Sequence, residues 1–278
     1  MLISQVKIHL IRGQSAEVHT SCCAFQRANA EYLEWLVGFT DGDGCFSIID
    51  YKPWLNHRFS IGLHLRDIQL LYKIKRQLGV GRVEINEKKA EFVVANMDHL
   101  ISVIIPIFDT YSCLSRKFFQ YQVWKDTLLQ RKQGQALLVR PEYVKDIAYS
   151  LKPMEEILSL SYFDTWLVGF IEAEGSFSIS IEDNGKRIRP YFYIDQKFDY
   201  HLIEAIRQRL SFNSKVLLRR EHMYCLSGKS KREIENVITF LKRSKIKLQG
   251  HKKIQFLLWI KEIKKLDAFK HISFPVNY

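Results

Sequence analysis

The stretch "LVGFTDGDGCFSI", Leu36 to Ile48, decides the reading of this chain. Its first half carries the residues of a buried helix and its last residues those of a strand. Asp41 and Asp43 fall where the helix should end. A helix C-terminus carries the negative end of the macrodipole, so carboxylates there are unfavourable without compensation. Further along, the stretch recurs as "LVGFIEAEGSFSI", Leu167 to Ile179, displaced by 131 residues. Eight of thirteen positions are identical, too many for coincidence, and the acids recur as Glu172 and Glu174. A turn rich in Asp and Gly would account for "DGDG" alone. It does not account for "EAEG", which has no turn chemistry before Gly175 and still retains both acids.

The repetition extends downstream. After each motif come two strands, "CFSIIDY" with "HRFSIGLHLRD" and "SFSISIED" with "RPYFYIDQKFD". Apolar residues at helical spacing follow in "IQLLYKIKRQLG" and "YHLIEAIRQRL". Two short strands are next, "RVEIN" with "AEFVVA" and "KVLLRRE" with "MYCLSG". Each half closes on two helices, the last being "KFFQYQVWKDTLLQRK" or "KKIQFLLWIKEIKKL". The expected fold class is α+β, a tandem pseudo-twofold repeat of two αββαββα domains over residues 29–135 and 161–278. Residues 136–160, with Pro141 and Pro153, form the connector and hold one short helix in "PEYVKDIAYSL".

Gly38 and Gly169 sit inside the two motif helices, where glycine costs about 1 kcal/mol relative to alanine. That cost makes sense if the two helix backbones approach closely on the pseudo-axis. Asp43 and Glu174 would then meet at one polar spot ringed by last-turn carbonyls. Such a concentration of negative charge calls for divalent cations. Carboxylate and carbonyl oxygens suit Mg²⁺, which keeps several waters and reaches for phosphate oxygens. Phosphodiester hydrolysis is the chemistry to expect.

Composition agrees. Forty-two Lys+Arg against thirty Asp+Glu give a formal net charge of +12, pointing to a polyanionic partner such as nucleic acid. No apolar run reaches membrane-spanning length, so a soluble chain is expected. Cys22, Cys23, Cys45, Cys113 and Cys225 are odd in number and lack C-x-x-C spacing, which argues against a disulfide framework or zinc site and for a reducing compartment. Residues 1–28 form an N-terminal extension. It resembles an organellar transit segment faintly, and a leader left by gene fusion or an ordered extension fits equally.

"LVGFTDGDG" and "LVGFIEAEG" resemble the two signature motifs of single-chain LAGLIDADG homing endonucleases, and the element order extends the resemblance over about 30–278. The resemblance implies a saddle of two four-stranded antiparallel sheets lying in the major groove of a long double-stranded DNA site. It implies a monomer encoded within an intron, with an organelle (mitochondrion or chloroplast) as its compartment. Mg²⁺ is the implied cofactor, with Mn²⁺ an alternative and Ca²⁺ able to occupy the site without supporting cleavage. Asp43 and Glu174 match the metal-binding position, assisted by the backbone carbonyls of Gly42 and Ala173. Asp41 and Glu172 match a position whose side chains cap the partner helix. Gln196 matches an amide that holds the hydrolytic water, whereas the first half has Leu63 there, which puts symmetric chemistry in doubt. Lys247 is the candidate basic residue near the metals, with Lys252 as runner-up.

Period-two alternation assigns the groove face of that saddle. Cys45, Ser47, Ile49, Tyr51, Arg58, Ser60 and Gly62 belong to it in the first half. Ser176, Ser178, Ser180, Glu182, Arg189, Tyr191, Tyr193 and Asp195 belong to it in the second. Arg82, Lys215, Arg219 and Arg220 are further DNA-binding candidates. Arginines there can read guanine bidentately, and serines can use a base edge or a bridging water. Two other readings stay open: an intron RNA maturase of the same fold, and a regulatory DNA-binding protein that keeps only the fold.

Overall fold

The computed structural model describes residues 28–51, 54–134, 152–182, 187–275 and 278. The extension before them and the connector helix expected in 141–151 lie outside the described residues. The first half runs α1 (Ala30–Asp43), β1 (Gly44–Tyr51), β2 (Trp54–His64), α2 (Ile68–Leu78), β3 (Arg82–Ile85) and β4 (Lys89–Val94). A helical run from Met97 to Thr110 and α3 (Lys117–Lys132) complete it. After a short helix, Met154–Ser159, the second half runs α4 (Phe163–Glu174), β5 (Ser176–Glu182), β6 (Arg187–Lys197), α5 (Tyr200–Arg209), β7 (Leu217–Leu218), β8 (Met223–Gly228), α6 (Lys231–Arg243) and α7 (His251–Ile263). The two four-stranded antiparallel sheets have matching orders, β1-β2-β4-β3 and β5-β6-β8-β7. The fold class expected from the repeat is the one observed.

The motif helices α1 and α4 form the seam. Their central turns are apolar and buried on every side: Trp35, Leu36, Val37 and Phe39 are buried, as are Trp166, Leu167, Val168 and Phe170. A Cβ on Gly38 would lie 1.9 Å from the carbonyl oxygen of Trp166, and one on Gly169 2.0 Å from that of Trp35. Backbone therefore meets backbone at both glycines. Each sheet packs its other face on helices, with Phe46, Phe59 and Phe92 buried in the first half and Phe192 and Leu226 in the second.

Two elements differ from expectation. The Met97–Thr110 run contains a π-turn at Leu100–Ile104. Pro106 follows, and lacking an N–H it cannot continue the regular ladder. The strand expected over "KVLLRRE" shrinks to Leu217–Leu218, because Glu221 and His222 adopt positive φ (54° and 62°) and turn the chain away from the ladder.

One buried polar contact yields a pH prediction. The His57 ring is buried, and its Nε2 lies 2.8 Å from the Thr127 hydroxyl. Burial, helped by the Arg131 cation, holds its pKa down to about 4. As pH falls below about 6.5 the unfolded chain takes up the proton before the folded one does. Stability from this group is thus complete above about 6.5 and is lost towards pH 4, by roughly 2–3 kcal/mol. Urea unfolding of wild type and His57→Gln from pH 7.5 to 4.5 should show the gap between them narrowing by that amount. A gap independent of pH would contradict the neutral buried ring.

Candidate active site

At their C-termini α1 and α4 bring the two acids together. The Gly42 backbone faces the other half so closely that a Cβ there would lie 2.3 Å from Ala173 Cβ and 3.1 Å from Glu174 Oε1. Burial, then the neighbouring Asp43 carboxylate, pushes the Glu174 pKa up to about 7. Asp43 keeps solvent access, but desolvation still raises its pKa against the pull of Lys117 and Lys252. These are two carboxylates sharing one site.

Two lysines balance them. Lys117 Nζ, at the start of α3, donates to the carbonyls of Thr40 (2.8 Å) and Gly42 (3.0 Å) and to that of Gly44. Lys252 Nζ, at the start of α7, donates to the carbonyl of Gly175. Each ammonium sits on the negative end of a motif helix, which is how acids come to be tolerated there. Lys247, the expected basic residue, is elsewhere. Its Nζ donates to the carbonyls of Leu241, Lys242 and Ser244, closing the end of α6, where the loop back to α7 holds it. Lys252 takes the place expected of Lys247, and Lys117 was not anticipated. A signal for it existed: "KFFQYQVW" and "KKIQFLLW" share Lys, Gln and Trp at i, i+3 and i+7 of the two last helices.

Asp41 and Glu172 do not cap the partner motif helix. Asp41 is fully buried and accepts from Leu114 N (2.7 Å), Ser115 N (3.3 Å), Ser115 Oγ and, across the seam, Trp166 Nε1 (2.9 Å). Glu172 accepts from Gln249 N and Gly250 N. Each acid therefore holds the start of the last helix of its own half. The partner half supplies a second acid to the same place: Asp199 accepts from Arg116 N (3.1 Å) and Asp67 from His251 N (2.6 Å). The lysine-bearing helices are thus pinned from both halves. Gln196 pairs with Tyr224 where Leu63 pairs with Ala90, so the two occupy equivalent register positions. Leu63 packs against the core.

The groove face is mixed. Cys45, Ile49 and Gly62 are exposed, and Ser47 Oγ lies 3.4 Å from the Arg58 carbonyl. Ser60 is a correction: flanked in the ladder by Cys45 and Val93, it is buried and offers no surface to DNA. Arg58 is tied to Glu91 (2.6 Å) and Glu84 (3.3 Å), and Arg82 to Glu84 (2.6 Å). Glu91 is the cross-strand neighbour of Gly62 and Glu84 that of Glu91, so the strand pattern places both on this face although neither was expected there. In the second half Ser176 and Ser178 bring their hydroxyls within 3.4 Å, and the rings of Tyr191 and Tyr193 stack at 6.2 Å. With Ser180, Arg189, Asp195 and Arg219 the tyrosines line a depression of about 790 Å³. Lys215 and Arg220 are exposed but lie outside the shortened β7. Tyr51 and Glu182 end their strands, and their side chains lie outside the described residues.

The profile of the LAGLIDADG endonuclease family matches residues 36–128 and 167–263. A protein of Schizosaccharomyces pombe named "Probable intron-encoded endonuclease Cox1-I1b" is 31% identical over 265 residues, 87% of this chain and 66% of its own. "Uncharacterized mitochondrial protein RF1" of Saccharomyces cerevisiae is 34% identical over 160 residues, 55% of this chain and 34% of its own. The chain thus spans less than two thirds of the length of either relative. Among solved structures, the LAGLIDADG meganuclease I-CpaMI bound to uncleaved DNA superposes with a TM-score of 0.70 at 19% identity, over 87% of this chain and 94% of that one. With motif, repeat, sheet order and family profile in agreement, the chain belongs to the LAGLIDADG endonuclease family.

Proposed function

We propose that this chain is a site-specific, metal-dependent DNA endonuclease that cuts both strands of a long recognition site, acts as a monomer, and is encoded within an organellar intron. The observation that carries this reading is the meeting of Asp43 and Glu174 at the seam, each beside a lysine. The residues present fit a hard divalent cation: two carboxylates and the Gly42 and Ala173 carbonyls are all-oxygen donors, and the Asp43 carboxylate already raises the proton affinity of Glu174. When bound there, Mg²⁺ or Mn²⁺ would supply Lewis-acid activation of water and stabilise charge on the leaving oxygen, whereas Ca²⁺ would occupy the site without supporting the cut.

The chain's own part is positioning. Asp43 and Glu174 fix the charge at the pseudo-axis, and Lys117 and Lys252 stand beside them as cations for the phosphate. Gln196 can orient water on its side. The hydroxyl of a water bonds to phosphorus, the P–O3′ bond breaks, and the departing oxygen receives the water's other proton. Arg189, Arg219 and the paired tyrosines provide groove and backbone contacts. Incubation with Mg²⁺ and the intron-free allele of the gene that carries its reading frame should give one double-strand cut, with affinity falling linearly in log–log form with salt. Binding of intron RNA in place of a cut, or affinity indifferent to salt, would count against this reading.

A further inference from the structure

The two halves are unequal at one position, and the structure shows what stands opposite it. Leu63 has neither donor nor acceptor, so it cannot do what Gln196 can. Leu63 lines a cavity of about 220 Å³ together with Asp43, Arg66, Ala173, Lys252 and Gln255. Gln255 lies on α7 one turn after Lys252, and one turn further Trp259 is anchored, its Nε1 donating to the Ser178 carbonyl (2.9 Å). The i, i+3, i+7 spacing puts all three on one side of the helix. That helix is held at its start by Glu172 and Asp67, so the direction of this face is fixed from both halves. Apart from the exposed carboxylate of Asp43, polar neighbours in the cavity are engaged: His64 Nδ1 accepts from Arg66 N, Arg66 pairs with Asp67, and Lys252 bonds Gly175. The half-buried Gln255 amide has no hydrogen-bond partner among the described residues.

We propose that Gln255 positions the attacking water and scissile phosphate on the Leu63 side of the site, supplying from a helix of the second half the amide that β2 of the first half lacks. The proposal rests on the endonuclease reading. It makes the two strand-cutting chemistries non-equivalent in origin: Gln196 reaches its side from β6, and Gln255 reaches the other from α7.

Strand-resolved cleavage of DNA labelled at both ends tests this. Gln255→Met, close in length and flexibility but without the amide, should slow one strand by about a hundredfold and leave the other near wild type. Gln196→Met should slow the opposite strand. Leu63→Gln added to Gln255→Met should restore the slowed strand, which a merely structural role for Gln255 would not permit. Affinity for uncleaved DNA in metal-free buffer should fall by only about threefold or less in Gln255→Met, since many phosphate contacts remain. The side-chain amide resonance missing from that variant should shift in the wild-type protein when uncleaved DNA binds. Equal slowing of both strands, no slowing, failure of the rescue, or an amide unmoved by DNA would each overturn the assignment. An inactive wild-type protein would overturn the endonuclease reading instead.

Discussion

Replacing Asp43 with Asn, or Glu174 with Gln, is expected to abolish double-strand cleavage, by about a thousandfold or more, while DNA affinity in metal-free buffer stays equal or improves. The two carboxylates lie at the seam with Glu174 held against Gly42, so neither can be replaced by a neighbour moving in. An amide keeps the shape but removes the charge that retains a cation. The proposed groove contacts lie on the sheets, away from both substitutions. Removing a carboxylate also lessens repulsion of the phosphates. Folding should not suffer, since burial already raises both pKa values and a neutral amide avoids that desolvation. Gel-shift titration in EDTA, cleavage in Mg²⁺ and a melting curve on each variant decide it. Cutting at the wild-type rate by either would remove these acids from the chemistry.

The seam, both sheets and the pair of acids were legible because the repeat compares the chain with itself. A lone "DGDG" is ambiguous, but the retention of acids in "EAEG" separates charge from turn chemistry. The same comparison, carried to the last helices, exposes Lys117 and favours Lys252 over Lys247 through their shared spacing to Gln and Trp. Lys247 lies in the same basic stretch as Lys252, yet the loop between α6 and α7 turns it back onto the carbonyls it follows. Loop direction is not a periodic property, so no pattern announces it. The crossed caps are hidden for a different reason: Asp67 and His251 are 184 residues apart, and only the packing of the halves brings them together. Ser60 shows the limit of alternation, which assigns a face but not the depth of a residue on it. Arg58 shows the limit of residue type, since a cation on the groove face is shared with Glu84 and Glu91 before it meets any base.

Gly38→Ala is expected to lower stability by about 3 kcal/mol or more, near or beyond the upper end of ordinary overpacking, and to reduce cleavage with it. A new Cβ would lie 1.9 Å from the Trp166 carbonyl oxygen, 2.7 Å from its carbon and 3.0 Å from its Cα. Most overpacked side chains escape by changing rotamer, but a methyl on Cα has no rotamer and the groups it meets are backbone. The helices must therefore separate or slide. Movement at Gly38 is transmitted to Asp43 little more than one turn away, so the spacing of the two acids changes even where the fold survives. For a chain of this size the loss should appear as a fall in melting temperature of roughly 6–12 °C. Gly169→Ala should do the same, since its Cβ would lie 2.0 Å from the Trp35 carbonyl. The pair supplies a sharper test than either alone. If one separation of α1 from α4 relieves both clashes, the double variant should be destabilised by much less than the sum of the singles. Additive losses would mean that the glycines are accommodated independently, and an unchanged melting temperature for either single variant would mean that the helix backbones are not in contact there.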